Sequence, residues 1–127
     1  MVDSDLQGKR VLIADDEEYI RMHIAKGLRS RGLEVFEAGT GEEVLELVQN
    51  NPQVIIMDVQ MPGLDGYSVA QKLKEKPETA SIPLIMLSAR AQDRDIEKGY
   101  AMGADYYLTK PVTFNQILGS LKEAVNG

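Results

Sequence analysis

The chain has 127 residues, 43% hydrophobic and 27% charged, with a net charge of −6 and a pI near 4.8. That is the composition of one globular domain with its own core, and its acidity argues against direct binding to nucleic acid. With no cysteine and a single histidine, His23, disulfides, thiol chemistry and multi-histidine metal sites are excluded.

Met1 to Gln7 is polar and acidic and has no signal-peptide core, and no apolar run approaches the ~20 residues of a membrane span. A cytoplasmic protein without membrane contact is expected. Beyond that segment, short apolar runs alternate with amphipathic stretches. Val11–Ala14 reads as a first strand, and Ile20, Ile24 and Leu28 repeat at i+4 as on one helix face. Leu33–Phe36 reads as the second strand; Thr40-x-x-Glu43 has capping-box spacing and opens a helix that presents Val44, Leu45 and Val48. The third strand, Val54–Met57, ends on Asp58 and a Met61-Pro62-Gly63 turn, before a helix carrying Val69 and Leu73. Pro83–Leu87 is the fourth strand, followed by a short, weakly patterned helix over Asp93–Met102. Tyr106–Leu108 is the fifth, and Thr113-x-x-Gln116 caps a last helix with Ile117, Leu121 and Val125. The whole of 1–127 reads as one domain, with a core of about 9–125.

Strict strand–helix alternation implies a parallel sheet with helices on both faces, and such sheets bind ligands beyond the carboxyl ends of their strands. The residues at those ends are Asp15-Asp16, Asp58, Ser88 and Lys110. If the strand order is 2-1-3-4-5, the aspartates converge at the switch point between Ser88 and Lys110. Like charges ~4 Å apart repel by roughly 4 kcal/mol at an effective dielectric of 20, so the cluster needs cations. Oxygen donors alone suit Mg²⁺, with Mn²⁺ as its substitute; metal and Lys110 together balance three carboxylates. Such a pocket can receive a phosphoryl group, Ser88 donating a hydrogen bond and Asp58 acting as the nucleophile that becomes an aspartyl phosphate.

Each residue also has a plainer reading. Asp15-x-x-Glu18 has capping-box spacing, Asp58 precedes a Pro-Gly turn, and Ser88 and Lys110 taken singly are loop residues. Their convergence on one edge is what outweighs these readings. Gly39-Thr-Gly41 is no dinucleotide loop, because Val44 stands where the third glycine belongs.

The segments "VLIADDE", "IIMDVQMPGLDGY", "PLIMLSA" and "GADYYLTKP", in this order and spacing, closely resemble the receiver domain of two-component response regulators (CheY-like) from about Lys9 to Val125. The resemblance implies an α/β, flavodoxin-like (βα)5 doubly wound sheet of order 2-1-3-4-5. It implies that Asp58 is the phosphoacceptor and that the metal ligands are Asp58, Asp16, Asp15 through water, and the Gln60 backbone carbonyl. Ser88 and Lys110 would bind the phosphoryl group, Ser88 and Tyr107 would switch, and the Lys110-Pro111 bond would be cis. Gln60 and Arg90, at the mouth of the site, would tune the phosphate lifetime. The donor would be a sensor histidine kinase or a histidine phosphotransfer protein, the protein itself a regulator and not an enzyme. Output to a separate, unidentified protein is expected through the face of the fourth helix, fifth strand and fifth helix. The reading takes the protein as a stand-alone, monomeric regulator; Tyr106, Val112 and a last helix without arginine depart from the dimerising DNA-binding pattern.

Three alternatives compete. The domain could be cut from a longer regulator with a DNA-binding or nucleotide-signalling effector. A haloacid-dehalogenase-type phosphatase also uses Asp and Mg²⁺, but requires Asp-x-Asp and a cap domain, whereas Glu17 and Glu18 follow Asp16 here. "HIAKGL", His23–Leu28, mimics a histidine phosphotransfer motif, but those modules are helix bundles, so His23 is expected on a helix surface.

Overall fold

In the computed structural model, which describes residues 4–126, the apolar runs form one parallel five-stranded sheet. The strands are β1 (Arg10–Ala14), β2 (Glu34–Ala38), β3 (Val54–Asp58), β4 (Leu84–Ser88) and β5 (Tyr106–Thr109), in the order β2-β1-β3-β4-β5. The four crossovers carry helices α1 (Glu18–Ser30), α2 (Gly41–Leu47), α3 (Gly66–Glu75) and α4 (Asp93–Ala101), and α5 (Phe114–Asn126) follows the last strand. This is the expected doubly wound fold, with β1 and β3 adjacent where the strand order reverses.

Side-chain alternation along the strands splits the core in two. Val11, Ile13, Val54, Ile56, Ile85 and Leu87 pack with Ile24, Leu28, Ile117 and Leu121 of α1 and α5. Leu12, Ile55, Met57 and Met86 pack with Val44, Val69 and Leu73 of α2 and α3. Helix α4 is barely anchored, Gly99 being its one fully buried residue.

Several boundaries differ from the expected ones: β1 begins one residue earlier, at Arg10, β2 is shifted to Glu34–Ala38 from Leu33–Phe36, and β5 runs one residue further, to Thr109. Asp58 and Ser88 are the last residues of their strands and hold register with Leu87 and Thr109, so the ladder reaches further than the apolar runs. A helical turn, Pro77–Ala80, follows α3; it has no apolar stripe to announce it, only a proline at a first helical position. Thr113 and Gln116 form a reciprocal capping box. At α2, Thr40 accepts from Glu43 N–H, but Glu43 bonds back to the N–H of Gly39 instead of Thr40. Among the described residues, no helix is long and apolar enough to cross a membrane.

Candidate functional site

Asp58 ends β3 and is 5% exposed. Its Oδ1 accepts from the Gln60 N–H at 2.8 Å, folding the chain sharply after the strand. The loop closes where Gly66 N–H donates to the Val59 carbonyl at 2.8 Å. A Cβ on Gly66 would stand 2.6 Å from the Asp58 carbonyl oxygen, so only glycine lets α3 begin this close to the strand end.

Asp15, just beyond β1, is fully buried. Its Oδ1 accepts from the Glu17 N–H at 2.9 Å, a local turn before the helix; the N-cap of α1 is Glu17, whose side chain makes no capping bond. The helix-cap reading of the acidic pair therefore fails. Asp16 points to the exposed side and lines a cavity of about 260 Å³ with Glu17, Asp58, Gln60, Ala89 and Lys110. Carboxylate oxygens of Asp15, Asp16 and Asp58 lie within 4.8 Å of one another.

Lys110 follows β5, tied by its N–H to the Ser88 carbonyl at 2.8 Å, and its bond to Pro111 is cis. Its Nζ lies 2.5 Å from Asp58 Oδ2, 3.1 Å from Asp15 Oδ2 and 3.6 Å from Glu17 Oε1. Burial alone would lower the ammonium pKa, but the hydrogen bonds and charges of Asp58 and Asp15 outweigh it and hold it well above the usual lysine range. For Asp58 burial prevails: it raises the carboxyl pKa despite Lys110 and the Gln60 N–H, and the charge of Asp15 adds to the rise.

Ser88 is fully buried, and its Oγ accepts from the Arg90 N–H at 3.0 Å, leaving its own proton free to donate. Half-buried Tyr107 donates its hydroxyl to the Arg90 carbonyl at 2.9 Å, and its ring covers Gly99. Gln60 lines the aspartate cavity, whereas the Arg90 side chain lines a neighbouring one of about 490 Å³. His23 is exposed on α1, as expected.

Two partners escaped the sequence reading. Glu17 joins the carboxylates around Lys110, and its place directly after the aspartate pair was the available signal. Arg21 donates to the Asp15 carbonyl at 2.9 Å while paired with Glu37 on β2. No linear pattern joins a helix residue to a neighbouring strand.

The donor set is all oxygen, with one carboxylate exposed and two buried beside a single ammonium. It suits a hard, six-coordinate divalent cation that keeps part of its water shell.

A sequence profile described as the response regulator receiver domain matches residues 11–122. The chain is 38% identical over 116 residues to the phosphate regulon transcriptional regulatory protein PhoB of Pseudomonas aeruginosa, covering 91% of this chain and 51% of that protein. It superposes on a Francisella response regulator receiver domain with TM-score 0.88 at 32% identity, covering 94% of this chain and 98% of that one. For the Vibrio cholerae chemotaxis response regulator CheY4 the TM-score is 0.87 at 29% identity, with coverages of 93% and 99%. The chain spans about half the length of the transcriptional relatives it matches.

Proposed function

The chain belongs to the response regulator receiver domain family, and we propose that it is the phosphoacceptor of a two-component pathway, taking a phosphoryl group from a partner's phosphohistidine onto Asp58. One observation carries this reading: a buried strand-end carboxylate is paired with Lys110 and stands within 4.8 Å of two further aspartates. In the transfer, an Asp58 carboxylate oxygen bonds to phosphorus as the phosphorus–nitrogen bond of the donor breaks, and the electron pair leaves with the imidazole. Lys110 faces the oxygens that carry the charge, and the Ser88 hydroxyl donates to one of them.

Receiver domains bind Mg²⁺ through an acidic pocket, and the oxygen-only cluster here fits that ion. Asp16, Asp58, Asp15 and the Gln60 carbonyl would hold it. Bound there, it supplies positive charge that screens the carboxylates from the incoming phosphoryl oxygens. The chain's own residues orient the reaction: Gln60 N–H fixes one Asp58 oxygen, Lys110 the other.

The output reading follows from Tyr107. A phosphoryl group adds charge and acceptor oxygens beside Ser88, so Ser88 is drawn toward it, and the Tyr107 ring turns into the vacated space. The thinly anchored α4 follows, altering the face of α4, β5 and α5 for a separate protein while the domain stays monomeric. Gln60 and Arg90 at the rim set the phosphate lifetime.

The test is intact mass with acetyl phosphate and Mg²⁺. A gain of one phosphoryl group, abolished in Asp58→Asn, is expected; an undiminished gain in the variant overturns the reading. Acid-labile phosphate would point to His23 instead.

A further inference from the structure

Beyond Ala14 the β1 ladder ends, yet Asp15 still has a main-chain carbonyl to satisfy. The Asp15 N–H donates to Ala38 O at 3.1 Å, but among the described residues no backbone N–H outside the regular elements reaches the Asp15 oxygen. The group that does is Arg21 Nη1, at 2.9 Å. The same guanidinium is anchored through Nε to Glu37 Oε1 at 3.2 Å, and both side chains are largely buried, 17% and 22% exposed. Gly39, at the end of β2, leaves the room: a Cβ there would stand 3.1 Å from Arg21 Nη1.

We propose that Arg21 is a positioning residue for the acidic pocket, its guanidinium fixing the Asp15–Asp16 peptide so that both carboxylates converge on Asp58. This rests on the metal-dependent reading above. The geometry demands arginine specifically, because one planar fork spans the Glu37 carboxylate and the Asp15 carbonyl together. A lysine ammonium can keep the ion pair but cannot span both with the same fixed geometry.

Arg21→Gln, Arg21→Lys and Gly39→Ala are compared with Arg29→Gln as control. Arg29 also pairs with Glu37, at 3.0 Å, but its other bond is to the Val35 carbonyl and not to Asp15. Mg²⁺ affinity is measured by calorimetry, and the metal-free amide spectrum of Asp15, Asp16 and Glu17 by NMR. Outer partners of metal ligands typically set affinity by 10–100-fold, so both Arg21 variants should weaken Mg²⁺ on the order of tenfold. Gly39→Ala should weaken it less, and Arg29→Gln not at all. Arg21→Lys should melt close to wild type yet share the Mg²⁺ defect and the displaced amide resonances. That split separates positioning from mere stability. Wild-type affinity and unshifted Asp15–Glu17 amides in Arg21→Lys overturn the proposal. Should Arg21→Gln fail to fold, the lysine and alanine variants decide. If wild type itself binds no Mg²⁺, the functional reading falls, and positioning is judged on the metal-free amides: displacement sustains it, and its absence ends it.

Discussion

On one face of the sheet, Ile13, Ile56, Ile85 and Leu87 meet Ile24, Leu28, Ile117 and Leu121, with no methionine among them. On the other, Met57, Met61, Met86, Met102, Tyr67 and Tyr107 are interspersed among aliphatics such as Leu12, Ile55, Leu73 and Leu84. Branched aliphatics have few rotamers and lock together, whereas methionine's flexible chain fills changing space. The proposed switch residue lies on the second face, together with the lightly anchored α4. On the proposed switch, the expected division is that the α1 and α5 face keeps its packing while the methionine-bearing face adjusts when the strand ends change.

The adjacent strand residues Ile56 and Met57 test that division most severely, since both are fully buried and they point to opposite faces. Truncating a buried aliphatic to alanine costs about 2–5 kcal/mol, less where the surroundings collapse. Ile56→Ala should lie near the top of that range and Met57→Ala near the bottom, read by urea denaturation. Equal losses would remove the contrast.

Gly99→Ala sharpens it. The new Cβ would stand 2.5 Å from Tyr107 Cδ2 and 3.4 Å from the Met86 sulfur. Overpacking of this kind costs about 1–3 kcal/mol, offset by a helix-propensity gain of about 1. A net loss with shifted Tyr107 ring resonances is expected. Gly119 of α5, with nothing within 4 Å of its missing Cβ, is the partner test: Gly119→Ala should gain up to about 1 kcal/mol. Because Gly119 is exposed, a loss there would mean that the helix-propensity gain assumed for Gly99→Ala does not hold in this fold.

Between the faces stands Asp58, whose raised pKa carries a smaller, pH-dependent effect. Folding favours its protonated form, so the native state binds more protons than the unfolded one as pH rises above 3.8, and stability falls over that window. Asp58→Asn lacks the penalty. Without metal it should be more stable than wild type at neutral pH, by less than the Ile56 loss, and the gap should close as pH drops to 3.8 and below. A gap that persists in acid would trace the gain to packing instead of charge.

How much of this could be read in one dimension follows from what each feature depends on. The strands and the parallel sheet were legible because apolar runs and their alternation with helical patterns are local signals, and the strand-end residues Asp15, Asp16, Asp58, Ser88 and Lys110 followed from them. The order 2-1-3-4-5 was not, since crossover handedness leaves several topologies open and only the resemblance to receiver domains chose among them. Arg21 was not, because its use is fixed by Glu37 on another element. Nor was the extension of β4 to Ser88, since backbone pairing continues past the last apolar side chain. The 3₁₀ turn Val48–Asn50 was equally hidden: Val48 reads as helix face, and the chain departs only at Asn51, which takes φ 56.

Tyr67 gives the subtlest test of the two faces. It is 8% exposed at the start of α3, with Lys98 Nζ 4.5 Å from its ring centre, and its hydroxyl has no hydrogen-bond partner among the described residues. Burial, then the nearby Tyr107, push the phenol up to about 12, although Tyr107 stands outside hydrogen-bonding geometry and spends its own proton on Arg90. An unpaired buried hydroxyl costs about 1–3 kcal/mol, part of which is returned by its packing, so Tyr67→Phe should gain about 1 kcal/mol or less at neutral pH. The alkaline range supplies an independent sign. Above pH 10 the unfolded phenol loses its proton while the folded one keeps it until about 12, so this group's contribution to stability falls as pH rises. The phenylalanine variant lacks that loss. Its advantage over wild type should widen from pH 10 to 12, the parallel effect of Lys110 cancelling because both proteins carry it. Thermal melts of the pair across that range decide the matter. A variant less stable than wild type at neutral pH would mean that the hydroxyl has found a partner, and that the methionine face is as fully satisfied as the aliphatic one.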